Sequence, residues 1–410
     1  MGRIQINNCK LKGAFTVPPS KSLSHRAVIC ASLCYEGESI IDNLSLSEDI
    51  KATIEGMRTL GAEIKIVGNK AFIKRNNEIK NHDIYCGESG STLRFLIPVA
   101  LALTDSMSFT GTKKLFERPL SAYLDIFNEH SIDYKLCEEK LWINGHLLPG
   151  DVTVPGGVSS QFVSGLLLSL PLLEGNSFIE VVGAFESKSY VDLTLDVLDK
   201  FGIFVEKSVN SFSITGNQRY RSCDYTVEGD YSQAAFFLVA NELGSDVECM
   251  GLNSFSKQGD MEILHVIKTF RESEDNLVID ASQIPDLVPI ISVLAALKEN
   301  CTTTIMNAQR LRIKESDRLS AMSTELNKLG AIVAETDDGL IIEGQRSLSG
   351  DATVNSWNDH RIAMALAVAA TGCEKNIILE NYTAVNKSYP CFWDDYRSLG
   401  GVAIELDDRQ

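Results

Sequence analysis

The sequence predicts an α/β protein assembled from six similar units, and three observations lead there. Apolar helical patterns repeatedly end in Leu-Gly or Phe-Gly and run straight into a short alternating strand. Small or polar capping residues stand ahead of each unit's apolar helix. These marks recur at intervals of about 70 residues, the signature of a repeat architecture.

The junctions come in order at Leu60-Gly61-Ala62-Glu63-Ile64, Phe201-Gly202-Ile203-Phe204-Val205, Leu329-Gly330-Ala331-Ile332-Val333 and Leu399-Gly400-Gly401-Val402. Weaker copies lie at His130–Tyr134 and around Phe270–Ile279. At each, glycine takes the left-handed helix cap and the chain turns into a strand. Turns such as Val67-Gly68-Asn69-Lys70 and Thr336-Asp337-Asp338-Gly339 then lead to a second strand, so each unit is expected to end in a hairpin. The capping clusters are Pro19-Ser20-Lys21-Ser22, Glu88-Ser89-Gly90-Ser91-Thr92, Ser159-Ser160-Gln161, Asp230-Tyr231-Ser232-Gln233, Pro285-Asp286 and Asn358-Asp359-His360-Arg361. Any one of them serves as a plain cap. Several carry Lys, Arg, Ser or Gln just inside the helix, and that points to helix N-termini gathered on an anion-rich site. No Pro/Gly/Ser linker divides the chain. The expected boundaries fall at Val17-Pro18-Pro19 and Glu228-Gly229-Asp230, giving one domain of residues 1–18 plus 231–410 and a second of 19–230, with three units each.

The 410 residues are 44% hydrophobic, enough for a large core. A net charge of −17 argues against a nucleic-acid or anionic-membrane partner. Runs such as Leu166–Leu173 and Ile362–Ala370 are too short to span a bilayer. The Met-Gly-Arg-Ile-Gln-Ile start lacks a signal-peptide core, and Ile6 does not suit a myristoylation site. Ten scattered cysteines without Cys-x-x-Cys fit a reducing cytoplasm, and neither they nor the six histidines have metal-ligand spacing. Nucleotide-binding glycine fingerprints are absent. The expectation is a cytoplasmic monomer with no metal and no cofactor.

In this acidic chain, Arg310–Leu319 concentrates four cations and two carboxylates. Lys314 and Arg318, four apart, are expected to share a helix face beside Glu315. An amphipathic helix should follow, running to Gly330. Ser22 and Arg26 share a face in the same way.

Together with Glu88–Arg94, Glu117-Arg118-Pro119 and Asp359-His360-Arg361-x-Ala363-Met364, these motifs resemble the 5-enolpyruvylshikimate-3-phosphate synthase family over essentially the full length, in order from Lys21 to Lys387. The resemblance implies a two-domain inside-out α/β barrel of six βαβαββ units, with the active site in the cleft between the domains. The implied reaction moves the enolpyruvyl group of phosphoenolpyruvate onto the 5-hydroxyl of shikimate 3-phosphate, through a tetrahedral intermediate, without metal or cofactor. Two polyanionic substrates need several cations, and Arg forks match carboxylate and phosphate.

Residue by residue, the resemblance makes Asp286 the proton acceptor from the 5-hydroxyl, Glu315 the proton donor to the enol carbon and Lys21 a rival acid. It gives shikimate 3-phosphate the ligands Lys21, Ser22, Arg26, Ser159, Ser160, Gln161, Ser187, Asp286 and Lys314. It gives phosphoenolpyruvate Lys21, Gly90, Arg94, Arg118, Gln161, Arg318, Arg361 and Lys387. The chain departs from the family pattern at Glu88, often Asn; His25, often Asn; Phe95, often Pro; and Arg310, often an Asn ligand whose role is not carried over. Glu88 and Phe95 bear on the response to glyphosate, which mimics phosphoenolpyruvate in this family, and Glu88 is expected to alter inhibition more than turnover. A related transferase using UDP-N-acetylglucosamine usually carries a Cys ahead of the arginine matching Arg118; Gly111–Glu117 has none. A non-catalytic anion-binding relative is the remaining alternative, and it would be expected to lack Lys21, Asp286 or Glu315.

Overall fold

A computed structural model describes residues 2–76, 78–79, 81–273 and 276–406. Met1, the first residue of the Met-Gly start, lies outside them. The chain divides into two compact units, residues 19–228 and residues 1–18 with 229–410. The second crossing thus falls two residues earlier than the boundary set from sequence.

In the unit of residues 19–228 one sheet pattern recurs three times: a parallel pair followed by an antiparallel hairpin. Asp83–Tyr85 lies parallel to Ser106–Thr110, which pairs with the hairpin Asp133–Leu136/Lys140–Asn144. Asp151–Pro155, Ser177–Val182 and the hairpin Val205–Lys207/Ser211–Ile214 repeat it. In the first sheet, the leading strand beside Ser39–Asp42 is Tyr225–Thr226, from the far end of this unit's chain, so the unit closes on itself. Its hairpin, Ala62–Val67 with Lys70–Arg75, turns through Gly68 at φ 61°.

The other unit follows the same plan with two changes. Leu277–Asp280, Thr302–Met306 and the hairpin Ile332–Glu335/Leu340–Glu343 form one complete copy. In the last copy the hairpin place is taken by Arg3–Ile6, which lies antiparallel between Ile377–Glu380 and Ala403–Leu406. The remaining sheet, Lys12–Thr16 parallel to Asp246–Met250, has only two strands among the described residues. Among the described residues, the hairpin expected around Phe270–Ile279 is therefore not formed. Helix Ile263–Glu272 ends at Ser273 in extended backbone, and Leu277–Asp280 is the leading strand of the next copy. That junction has no glycine to reverse the chain; Glu274 and Asp275 within it lie outside the described residues. At the four strong junctions Gly61, Gly202, Gly330 and Gly400 all have positive φ, between 76° and 96°.

The helices fall into two classes. One set is buried on nearly every face: Lys21–Ser32, Gly90–Leu103 and Ser160–Ser169 in one unit, and Tyr231–Glu242, Val288–Ala296 and His360–Ala369 in the other. The second set is amphipathic and lies outside; Ile263–Glu272, for example, buries only Ile263, Val266, Ile267 and Phe270. Each unit has helices inside and sheets outside, an inside-out α/β barrel. Most inner helices begin with a side-chain cap, from Ser20, Ser89, Ser159, Asp230 or Asp359. At the opposite ends, Lys10 Nζ donates to the carbonyls of Leu243 and Thr371, placing a cation at two negative helix termini. Among the described residues no helix is long and apolar enough to cross a membrane.

Candidate active site

The Arg310–Leu319 stretch is not one helix. Gln309–Ile313 forms a 3-10 turn, Lys314 is extended, and Asp317 caps a helix spanning Arg318–Lys328 by accepting from Ser320 N at 3.1 Å. Arg312 fixes the turn by bonding Asp317 at 3.1 Å and the carbonyls of Thr336 at 2.6 Å and Asp337 at 3.2 Å. Lys314 and Arg318 nevertheless reach the same atom. Asp286 Oδ1 lies 2.8 Å from Arg318 Nη1 and 4.0 Å from Lys314 Nζ. Its Oδ2 accepts from Arg361 Nη2 at 2.9 Å. Asp286 is therefore no helix cap: it sits in the 3-10 turn Pro285–Leu287, and the α-helix starts at Val288.

Arg318 is 1% exposed and binds three carboxylates: Asp286, Glu315 Oε2 at 2.8 Å and Asp359 Oδ2 at 2.8 Å. Asp359 also accepts from Arg361 N at 2.9 Å and Ser316 Oγ at 3.2 Å. Arg361 Nη1 contacts Ser232 Oγ and the Asp286 carbonyl. Lys387 Nζ donates to the Asn358 carbonyl at 2.6 Å. Arg310 is buried and donates to the Ser282 carbonyl at 2.8 Å.

The electrostatics follow from this crowding. Burial would push the Asp286 carboxyl up, but Arg361, Lys314 and Arg318 outweigh it and hold it well below the usual carboxylate range. Burial is also the largest influence on Lys314 and lowers its ammonium to about 8; Asp286 opposes this, and Arg310 and Arg318 add to it. For Arg318 burial lowers the guanidinium, and Asp359, Glu315 and Asp286 overcome it, so the group stays above its ordinary value. The result is a carboxylate kept ionised beside a lysine poised near neutrality.

The second cluster lies in the other unit, at the starts of its inner helices. A Cβ on Gly90 would meet Arg118 Nη1 at 2.9 Å, with Gln161 Oε1 at 3.7 Å and Arg94 Nη1 at 3.9 Å. A side chain there would push the Arg118 guanidinium from its place. Arg94 Nη1 donates to Gln161 Oε1 at 2.8 Å, and Gln161 Nε2 donates to Ser91 Oγ at 2.9 Å. Arg94 also stacks on Phe162, 5.0 Å from the ring centre. Pro98, inside the Gly90–Leu103 helix, has no N–H for the Arg94 carbonyl. The Tyr123 hydroxyl supplies that donor at 2.6 Å, so the helix keeps its course and Arg94 its place.

Lys21 Nζ pairs with Asp49 Oδ2 at 2.9 Å. Arg26 is 2% exposed; it donates to Thr194 Oγ1 at 2.7 Å, the Ser22 carbonyl at 2.7 Å and the Tyr190 carbonyl at 2.8 Å. Its guanidinium holds these neighbours rather than standing open. Ser159 caps its helix from extended backbone, and Ser160 follows, buried. Ser187 is buried in left-handed backbone, φ 50°, ahead of helix Lys188–Lys200. The departures also find places. His25 Nδ1 lies 2.7 Å from Thr53 Oγ1, and Thr53, Thr92 and Ser89 continue a chain of buried hydroxyls. Phe95 turns inward, edge-on to His25 and under Arg26. Glu88 is half-buried just before the Ser89 cap.

The structure thus brings Asp286, Lys314, Glu315, Arg318 and Arg361 together in one unit, with Lys387 beside the Asn358 carbonyl. It brings Gly90, Arg94, Arg118 and Gln161 together in the other, where Lys21, Ser22, Arg26, Ser159, Ser160 and Ser187 also lie at or near helix starts. Sequence reasoning missed Asp49 and the pairing of Asp359 with Arg318. Asp49 sits in the ordinary capping string Ser47-Glu48-Asp49 and gives no signal; Asp359 stood out as a cap and as part of the Asp359-His360-Arg361 motif, neither of which points to Arg318.

A sequence model of the EPSP synthase (3-phosphoshikimate 1-carboxyvinyltransferase) family matches residues 6–396. A 3-phosphoshikimate 1-carboxyvinyltransferase of Clostridium kluyveri is 50% identical over 427 aligned positions, covering 100% of this chain and 99% of that one. One from Clostridium acetobutylicum is 51% identical, covering 99% of both. Among solved structures, EPSP synthase from Acinetobacter baumannii superposes with a TM-score of 0.82 at 23% identity, covering 99% of this chain and 100% of that one. The enolpyruvyl transferase NikO from Streptomyces tendae reaches 0.79 at 16% identity, covering 99% and 98%. At those identities the structures speak for the fold alone. With the family match spanning nearly the whole chain and relatives at half identity end to end, the chain belongs to the EPSP synthase family of 3-phosphoshikimate 1-carboxyvinyltransferases.

Proposed function

We propose that the chain transfers the enolpyruvyl group of phosphoenolpyruvate to the 5-hydroxyl of shikimate 3-phosphate and releases inorganic phosphate, a step toward chorismate and the aromatic amino acids. The observation that carries this reading is the Asp286 carboxylate held by Arg318 and Arg361 with Lys314 at 4.0 Å. A carboxylate kept ionised can take the hydroxyl proton as the oxygen attacks the central carbon of phosphoenolpyruvate. A proton delivered to the terminal carbon by Glu315 or Lys21 completes the tetrahedral adduct. Loss of that carbon's proton and departure of phosphate then restore the double bond. Arg318, Arg361 and Lys387, with Gly90, Arg94, Arg118, Gln161 and Lys21 of the other unit, are the proposed phosphoenolpyruvate ligands. Lys21, Ser22, Arg26, Ser159, Ser160, Gln161, Ser187, Asp286 and Lys314 are the proposed ligands of shikimate 3-phosphate. The proposal places the enzyme in the cytoplasm as a monomer acting without metal or cofactor.

Phosphate release tests it. Purified protein given phosphoenolpyruvate should release phosphate with shikimate 3-phosphate, not with UDP-N-acetylglucosamine, and equally with EDTA present. Release with neither acceptor would overturn the reading.

The lowered Lys314 adds a pH prediction. An amine at about 8 is charged below that pH and neutral above it, so a cation beside the reacting hydroxyl is lost on the alkaline side. The kcat/KM profile for shikimate 3-phosphate should fall above about pH 8. In Lys314→Arg that alkaline fall should vanish, whatever the height of the profile, because a guanidinium stays charged.

A further inference from the structure

Glu325 is a buried acid that none of the assignments above uses. It lies on helix Arg318–Lys328, roughly two turns beyond Arg318, and is 1% exposed. Its Oε1 accepts from the Trp357 indole Nε1 at 2.7 Å, and its Oε2 accepts from the Asn355 backbone N–H at 3.0 Å. Lys328 Nζ, at 2.8 Å, supplies the counter-charge.

Both donors belong to a turn that the backbone disfavours. Trp357 and Asn358 are consecutive left-handed residues, φ 52° and 55°. Such a pair, one member a bulky aromatic, persists only where its surroundings over-determine it. Local bonds contribute: Asn355 Oδ1 accepts from Trp357 N at 2.7 Å, and Ser356 Oγ accepts from Asn358 N at 3.2 Å and donates to the Asn381 carbonyl at 2.9 Å. Glu325 ties the turn to the helix about two turns beyond Arg318, adding a second anchor to the Arg318–Asp359 pair at the helix start. The turn in turn presents two groups: the Asn358 carbonyl that holds Lys387, and Asp359, which holds Arg318.

We propose that Glu325 is a positioning residue for phosphoenolpyruvate binding, pinning the left-handed turn through Trp357 and Asn355 so that Lys387 and Arg318 stay in place. This rests on the proposed assignment of Lys387 and Arg318 to that substrate. A carboxylate suits the task because two separate N–H donors arrive on two different oxygens. Glutamine has one acceptor oxygen and must give up one of them.

The test is steady-state kinetics of Glu325→Gln, Trp357→Phe, the double variant and Lys387→Met, each substrate varied in turn, with thermal melts and tryptophan emission. In Glu325→Gln, KM for phosphoenolpyruvate should rise about tenfold, the scale of one lost charge-assisted hydrogen bond, while KM for shikimate 3-phosphate stays within about twofold. Trp357→Phe should move the same constant in the same direction. The double variant should be no worse than Glu325→Gln alone, and tryptophan emission should shift in Glu325→Gln. Unchanged constants in a folded Glu325→Gln, or equal rises in both with a lowered melting temperature, would overturn the inference. If Glu325→Gln fails to fold, Trp357→Phe, altered at a residue 38% exposed, decides alone by the same constants. An unaltered phosphoenolpyruvate KM in Lys387→Met would instead overturn the Lys387 assignment itself, and with it the route through that lysine.

Discussion

Asp286→Asn should lower kcat by about two to four orders of magnitude, the span of a lost general base, while the KM values hold or fall. The amide keeps the shape of the side chain but cannot take a proton. It also withdraws the negative charge now shared by Arg318 and Arg361 at 2.8 and 2.9 Å and by Lys314 at 4.0 Å. Those cations become more attractive to anionic substrates just as the chemistry fails, so the two kinetic constants should part company. Phosphate release measured across both substrate concentrations would show it. A variant with kcat within a factor of about ten of the parent would remove Asp286 from the chemistry.

Arg318→Met should be the most destabilising single change at the site. The side chain is 1% exposed and its removal leaves Asp286, Glu315 and Asp359 without their shared guanidinium. Breaking a buried ion pair from one side costs about 3–5 kcal/mol, because the partner charge stays behind. For units of this size that is a fall in melting temperature of about 6–20 °C. The sign of the pH dependence follows from Asp286, whose folded carboxyl is held below its usual range. Such a group stabilises the fold above its unfolded value, about 3.9, and the contribution fades as pH drops through that region toward the folded value. The gap between parent and Arg318→Met should therefore be widest near neutral pH and narrow in acid. Melting curves at pH 7 and at about pH 3, below the unfolded carboxylate value, would test this, and a gap that widens on acidification would contradict it. Arg318→Lys should recover only part of the loss, since an ammonium cannot fork to three carboxylates.

What could be read from sequence was local. Leu60-Gly61, Phe201-Gly202, Leu329-Gly330 and Leu399-Gly400 carry their meaning in adjacent residues: a helix runs out, glycine takes positive φ, a strand begins. The caps at Ser20, Ser89, Ser159, Asp230 and Asp359 are equally short-range. What escaped depends on distant partners. Nothing between Arg310 and Leu319 announces that Ile313 closes a 3-10 turn and Lys314 extends, because that bend is fixed by Arg312 bonding Thr336 and Asp337. Pro285-Asp286 has the composition of a cap, and only Arg318 and Arg361 make it something else. The absent hairpin near Phe270 had its warning in the missing glycine, which made that copy weak. Glu325 reads as one more polar residue in Ser323-Thr324-Glu325-Leu326 until Trp357 and Asn355 are seen to reach it.

The strand Arg3–Ile6, seated between Ile377–Glu380 and Ala403–Leu406, imposes an order on synthesis. Residues 3–6 must wait for residues 377–406 before their sheet exists. Residues 19–228 form a compact unit whose first sheet is completed by Tyr225–Thr226, so they can condense once that strand leaves the ribosome. Translation of the remainder takes on the order of ten seconds or more. For that time Arg3–Ile6 trails with both edges unsatisfied. Its alternating half-buried and buried pattern, with only Ile4 and Ile6 fully covered, gives it little apolar surface to misplace while it waits.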